Sequence, residues 1–339
     1  MTVPAVLACA VAAALCVLPT AEGQSVGRGE VARLRVLTLN MHGLRYPPRL
    51  GWMADQSDCA GRFRTVGAQL RNADPPYDIV ALQELYRVTD LHIVTCDPTP
   101  FLDELGRAGG RFEGSQRLLF APKGEPWKLE ADGGIGMVTL RSVKESLALR
   151  FAGSGGPFLA ARGVLFARIV LPNSPVGVDA YVVHLSPGRG NSGQRGRELE
   201  ALSELVKARS SASGNPVLVL GDFNIEGPPS AGSEYGTMLK LLGEPRDLWL
   251  EDRPTDAGYT YDCWGNALAG LRGCDYQARI DFIWAVTNPK LSNSGYEIRI
   301  SKGRPVQRIK WQTDRTKPLP VSDHYGVEAF LSIEHRTSK

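Results

Sequence analysis

The chain contains no CxxC pair and no cysteine and histidine spacing of the zinc-finger kind, which argues against a thiolate metal module. It has no internal repeat and no Gly, Pro or Ser stretch long enough to be an interdomain linker, so nothing divides it into an array or a tandem. Charge of one sign is also missing. With 39 Lys and Arg against 36 Asp and Glu the net charge is +3, too little to argue for nucleic acid by itself. Long apolar runs are absent except for one, Val3 to Leu18, which is short for a membrane span of about 20 residues.

That single run sits where a leader would. Residues 1–23 read as a secretory signal peptide: an Ala-rich apolar stretch, then Pro19 and small residues around Ala21 to Gly23. The only positive charge ahead of the run is the α-amino group, an atypical n-region. The expected product is a secreted, soluble chain. Removing residues 1–23 takes away one acid, Glu22, and four cysteines stay behind: Cys59, Cys96, Cys263 and Cys274. An even number in an oxidising destination predicts structural disulfides. Three pairings are possible, and proximity favours Cys59 with Cys96 and Cys263 with Cys274.

The rest of the composition is that of a globular protein, 43% hydrophobic and 22% charged, with material for a real core. Motifs spread along its length favour one domain, residues 24–339. Apolar runs of strand length recur at Leu34 to Leu39, Asp78 to Gln83, Ile135 to Leu140, Val164 to Leu171, Val178 to His184, Val217 to Gly221, Asp281 to Val286 and Tyr325 to Ile333. Helical stripes lie between some of them: Leu199, Leu202, Leu205 and Val206; Tyr235, Met238, Leu239 and Leu242; and a less regular one over Arg62 to Leu70. Strands interleaved with helices predict an α/β layered fold.

Several of these runs stop on a polar group: VLTLN at Asn40, DIVALQE at Glu84, DAYVVH at His184, and VLVLGDFN at Asp222 and Asn224. SDHYGV reverses the pattern, with Asp323 and His324 just ahead of a run. One such residue is most simply a turn former, since Asn and Asp side chains bond their own backbone. Repeated at strand after strand, they place acids, amides and imidazoles along one rim of a sheet, where a hard cation and a phosphate could be held.

Taken in order, LTLNMHG, VALQELY, GGIGMVTLRS, VVHLSPG, LGDFNIEG, RIDFIWAV and VSDHYGVE resemble the endonuclease/exonuclease/phosphatase superfamily. Within it, Asp132 to Gly134, Gly155 to Ile169, Ser233 to Leu242 and SDHYGVEAFLSI are most similar to the secreted bacterial sphingomyelinases C. The resemblance implies a four-layer α/β sandwich, two packed mixed β-sheets flanked by helices, with the site at one end of the sheets. It implies Glu84 as the principal ligand of Mg²⁺ (Mn²⁺, Co²⁺ and Ca²⁺ being alternatives), Asn40 beside it, and Asp323 on a second cation or supporting its neighbour. It implies His324 as general base toward water and Asp281 as the carboxylate that orients it. Asp222 and Asn224 would position water and a phosphoryl oxygen, and His184 would bond the phosphate in the transition state. Tyr261, Trp264 and Asn266, in TYDCWGN, resemble a stretch near the phosphate in sphingomyelinases, which makes Asn266 a substrate-binding candidate. His42, His92 and His335 match no motif.

Substrate class is the finer question. A sphingomyelinase must face a phospholipid membrane surface with apolar or aromatic side chains, whereas a nuclease needs a basic groove for nucleic acid. The segment before SDH, where the lipid enzymes carry an aromatic hairpin, has Trp311 as its one aromatic. Eight Lys or Arg fall between Thr287 and Pro320 against Glu297 and Asp314. Arg162 stands where the lipid enzymes usually carry Lys. Sphingomyelin is the expected substrate, with Trp311 as a contact, and a secreted endonuclease is the alternative. An inactive binding module would predict a decayed constellation, yet every expected position is filled. No obligate protein partner is indicated.

Overall fold

The computed structural model describes residues 30–43, 58–86, 95–107, 117–121, 132–154, 160–228, 233–271, 273–314 and 316–336. The expected leader, His92 and residues 155–159 at the start of the Gly155 to Ile169 stretch lie outside them. Among the described residues no helix is long and apolar enough to cross a membrane.

Two sheets form the centre. The first has seven strands: β1 (Glu30–Asn40), β2 (Ile79–Gln83), β3 (Arg117–Ala121), β4 (Ile135–Thr139), β13 (Tyr296–Ile300), β14 (Gln307–Ile309) and β15 (Gly326–His335). They run in the order β13-β15-β1-β2-β4-β3, with β14 also on β15. The second has six: β5 (Val143–Arg150), β6 (Gly163–Ile169), β7 (Val178–His184), β8 (Val217–Asp222), β9 (Arg246–Asp247) and β12 (Asp281–Val286), in the order β5-β6-β7-β8-β12-β9. Both are mixed, since β1 and β2 are parallel, as are β7 and β8, and their other pairings are antiparallel.

The apolar runs are near-continuous because both faces of each sheet are covered. Parity decides which side chain goes where. Leu34 and Val36 of β1, Ile79 and Ala81 of β2, Leu218 and Leu220 of β8, and Ile283 and Ala285 of β12 meet in the core between the sheets. Alternate residues face outward. Leu37, Leu39, Val80 and Leu82 pack on Phe63, Val66 and Leu70 of α1 (Cys59–Asn72) and Phe101 of α2 (Thr99–Gly106). Val217, Val219, Phe282 and Trp284 pack on Leu199, Leu202 and Val206 of α3 (Ser192–Ser210) and Met238 of α4 (Ser233–Leu241). Helix, sheet, sheet, helix is the four-layer sandwich that the resemblance implied. The expected strands and all three helical stripes form, with small shifts at their ends. β3, β5, β13, β14 and α2 were not among them.

Short elements finish the rim that carries the site. α5 (Leu248–Asp252) follows β9, and a two-stranded ribbon of β10 (Tyr261–Asp262) and β11 (Gln277–Ala278) encloses α6 (Ala267–Gly270). Both favoured disulfides are present: Cys59–Cys96 ties the start of α1 to the segment before α2, and Cys263–Cys274 closes the ribbon.

Arg62 of α1 is a buried clamp near the first of these. Its guanidinium donates to Met41 O and Val321 O (3.0 and 2.9 Å) through Nη1 and to His42 O (3.0 Å) through Nη2. It thereby joins the chain leaving β1 to the chain entering SDH. Hydrogen bonds from a charged donor contribute about 1.5–3 kcal/mol each, and stranded buried carbonyls cost more than the bond alone suggests. Arg62→Met is therefore expected to lower stability by about 3 kcal/mol or more, read as a lower midpoint in urea. An unchanged midpoint would show the clamp to be dispensable.

Candidate active site

Three neighbouring strands of the second sheet end in a row. His184 of β7 lies in register with Asp222 of β8, and Asp222 with Asp281 at the start of β12. The glycine of GDFN permits this. Gly221 has φ +149°, and a Cβ there would lie 2.1 Å from the Val183 carbonyl oxygen. Any larger residue would push β7 and β8 apart at the rim.

The first sheet supplies the opposite wall. Asn40 closes β1, and Glu84 follows β2 with φ 56°. Of the five non-glycine residues with positive φ among the described residues, three cluster here: His42, Glu84 and Asn224. Strained backbone of this kind is kept where the fold over-determines it, commonly at functional sites. Gly43 lets the two chains meet, since a Cβ on it would fall 1.9 Å from the Glu84 carbonyl oxygen.

Side chains join the walls. Asn40 Oδ1 accepts from the His42 N–H at 2.9 Å, which turns its amide nitrogen toward the acids. Nδ2 then donates to Asp222 Oδ2 at 3.0 Å and, at 3.5 Å, to Glu84 Oε1. Asn40, implied beside the metal, thus holds two carboxylates in place through its nitrogen rather than offering its oxygen. His324, ahead of β15, sits 2.8 Å through Nδ1 from Asp281 Oδ2, which brings together the two residues that the resemblance named as base and orienting acid. Thr260 fixes that acid's position, its Oγ1 accepting from the N–H groups of Ile280 and Asp281. Asn224 donates its backbone N–H to Asp222 Oδ1 and its side-chain amide to Leu185 O, at 2.9 and 3.0 Å. Asp323 faces His42, 3.1 Å from its Nδ1, so a histidine that matched no motif supports the SDH loop.

Burial sets the electrostatics. Burial raises the Asp222 carboxyl, and the neighbouring charge of Asp281 raises it further. Burial works against a charge on His324, but the charge and hydrogen bond of Asp281, then Asp222 and Asp323, overcome it and push the imidazole up to about 10. His184 goes the other way, held well below the usual histidine range by burial first and then by Arg162 and His324. Arg162 Nη1 lies 2.7 Å from His184 Nδ1, and His184 Nε2 is 3.6 Å from Asp222 Oδ2. Two imidazoles in one cleft are therefore pushed in opposite directions by their neighbours.

The donor set fits a hard divalent cation. Asp222, Asp281 and His324 each offer a ligand atom within 4.8 Å of one another. Asp281 Oδ1 is buried without a hydrogen-bond partner, an uncompensated position that a cation would satisfy. Oxygen donors of this type suit Mg²⁺ better than a soft metal. Glu84 is outside that three-residue group yet linked to it through Asn40, while Nδ1 of His324 is already engaged by Asp281. The carboxylates are thus the better ligands, and the imidazole is left for proton transfer.

The two substrate-binding candidates separate. Trp311 is half-buried against the core around α1 and lines a groove with Gly265, Lys310, Pro320, Tyr325 and His324. Asn266 does not face that groove. Its Oδ1 caps α6 by accepting from Leu268 and Ala269, and its Nδ2 donates to Ser322 O at 2.9 Å, so it braces the SDH loop from behind. Tyr261, within the TYDCWGN stretch, packs its ring edge-on to His324 at 5.2 Å, and Lys310, which the sequence showed only as part of a basic segment, has its Nζ 4.5 Å from the centre of the Tyr325 ring.

Solved structures of similar fold are numerous. A mutant beta toxin from Staphylococcus aureus with bound magnesium ions matches at TM-score 0.60 and 17% identity, covering 88% of this chain and 99% of its own. Sphingomyelinase C from Streptomyces griseocarneus matches at 0.58 and 16%, covering 89% and 99%. TDP2 from D. rerio, complexed with a single-strand DNA product, matches at 0.60 and 18%, covering 88% and 99%. No curated protein sequence matches significantly. The model of the Endonuclease/Exonuclease/phosphatase family matches residues 37–324, from β1 to the histidine of SDH, and the chain belongs to that family.

Proposed function

We propose that this protein is a secreted, Mg²⁺-dependent phosphodiesterase of the sphingomyelinase C type, releasing phosphocholine from sphingomyelin. The observation that carries the hydrolytic part is the row His184, Asp222, Asp281 across three strands, with His324 on the last acid and Asn40 tying the row to Glu84. Export is supported by the two disulfides and by the leader-like residues 1–23.

Each residue has a task. His324 is oriented through Nδ1, which leaves Nε2 to take a proton from the attacking water. Asp281 holds the ring and stabilises the imidazolium. Neutral His184 donates a hydrogen bond toward a phosphoryl oxygen, and Arg162, whose Nη1 lies 2.7 and 2.9 Å from its two ring nitrogens, adds positive charge beside it. Asp222 and Asn224 position water and phosphate. Glu84, Asp222 and Asp281 would hold the cation, with Asn40 orienting them and Asp323 as support or as ligand of a second ion. The bound ion supplies neutralisation of the phosphoryl charge and offsets the carboxylate field on His324.

Nucleic acid is the second reading, favoured by Lys310 in the groove and by the exposed Lys302, Arg304 and Lys317 of the same basic segment. Offering sphingomyelin vesicles, plasmid DNA and a soluble choline phosphodiester in parallel, with Mg²⁺ and with His324→Ala as control, decides between them. Release of choline phosphate without DNA nicking is expected. Nicking alone would overturn the lipid assignment.

A further inference from the structure

Large apolar side chains are exposed at only four described positions, Val170, Trp264, Leu271 and Tyr276, and three of these four fall in or beside the disulfide-closed turn 263–274. Trp264 is 71% exposed, Leu271 50% and Tyr276 37%. Uncovered indole is unfavourable in water, and here the backbone holds it out. Asp262 Oδ1 accepts from the N–H groups of Trp264 and Gly265 (3.1 and 2.8 Å) and from Gln277 Nε2 (2.7 Å). The Cys263–Cys274 bond and the Asn266 cap on α6 close the same turn. Little freedom remains for Trp264 to fold back.

The turn stands next to the catalytic groove. Tyr261, at its base, forms an isolated bridge with His324 and stacks on Tyr276 at 5.4 Å. Gly265, which follows Trp264, lines the groove that reaches His324. Cations flank the apolar tip: Lys310 in the groove, and Arg189, 80% exposed, with its guanidinium 5.3 Å from the centre of the Tyr276 ring. Asp275 is an exposed acid within the turn, and Glu226 pairs with Arg189. Indole and phenol rings with a leucine between them, bordered by basic side chains, match the boundary between lipid headgroups and acyl chains. A nucleic-acid platform would have little use for Leu271.

We infer that the 263–276 turn is the membrane-docking element of this protein, with Trp264 entering the interface of a phospholipid bilayer and Lys310 and Arg189 meeting its phosphates. The proposal rests on the lipid reading of the active site for its purpose, but not for its test. It centres the docking surface on the ribbon rather than on Trp311, which is half-buried, and keeps only Lys310 from the segment before SDH.

The test is co-sedimentation with vesicles of phosphatidylcholine and sphingomyelin, with and without phosphatidylglycerol, run beside hydrolysis of a soluble phosphodiester. Trp264→Ala is expected to cut the bound fraction's partition coefficient by about tenfold or more and to leave soluble hydrolysis and the melting temperature unchanged. Lys310→Gln should lower binding mainly to vesicles containing phosphatidylglycerol. Wild-type binding with no loss in Trp264→Ala would overturn the proposal, as would no wild-type binding at all. Equal losses on vesicles and soluble substrate would also overturn it, by placing Trp264 at the reacting phosphate. Loss of DNA nicking with vesicle binding intact would reassign the indole to base stacking. Tight, Trp264-dependent binding without sphingomyelin hydrolysis would leave docking standing and sink only the choice of substrate.

Discussion

His324→Ala is expected to reduce kcat on a phosphodiester by about 10³-fold, the middle of the range for removing a positioned acid–base group. KM should change little, because the imidazole is engaged by Asp281 on one side and reaches the substrate only through water. The neighbouring structure should survive. Asp281 stays fixed by Thr260, and the loop stays clamped by Arg62 and Asn266. Steady-state kinetics with a folded variant check this. A loss of tenfold or less would mean that water is activated elsewhere, and Asp222, whose carboxyl is raised by burial and by Asp281, would be the next group to examine.

Glu84→Gln carries the second large effect. The substitution keeps the shape at a strained position, φ 56°, and removes only the charge. Metal affinity should fall by on the order of 10- to 100-fold or more, given that even outer-shell partners of metal sites cost that much. The Mg²⁺ concentration for half-maximal activity should rise accordingly, with part of the activity recovered at high Mg²⁺. Thermal unfolding should stay close to wild type, since glutamine keeps the length of the side chain and an oxygen that can accept from Asn40 Nδ2. A variant that fails to fold would mark Glu84 as structural. An unchanged Mg²⁺ requirement would move the ion to Asp222 and Asp281 alone.

Legibility in the sequence followed burial. Strands covered on both faces are continuous apolar runs, and β7 and β12 have the expected limits, Val178–His184 and Asp281–Val286. β5 did not stand out because it is an edge strand with charge on both faces, at Lys144 and at Glu145, so its apolar alternation is diluted. The eight residues of α2 are too few to show a helical period against loop residues.

The candidate site was legible as residue types at strand ends, and the family resemblance attached roles to them. Spacing along the chain could not give the distances across it. That Asp222 lies between His184 and Asp281 is a matter of register, and that Asn40 reaches it is a matter of how two sheets face each other. Asn266 shows the opposite failure. A side chain at a motif position was read as facing substrate, but both ends of its amide are used in holding α6 and Ser322. Trp264 lies two residues away and points outward, because Asp262 takes the N–H groups that would otherwise let the turn relax.

The central claim is that acids from both sheets converge on one divalent ion beside the SDH histidine. The most direct measurement is a crystal soaked in Mn²⁺ and recorded at an energy where manganese scatters anomalously. The account predicts an anomalous peak among the carboxylates of Glu84, Asp222 and Asp281, lost in Glu84→Gln. A strong peak elsewhere in the protein, with none in this cleft while the crystals bind manganese, would contradict it.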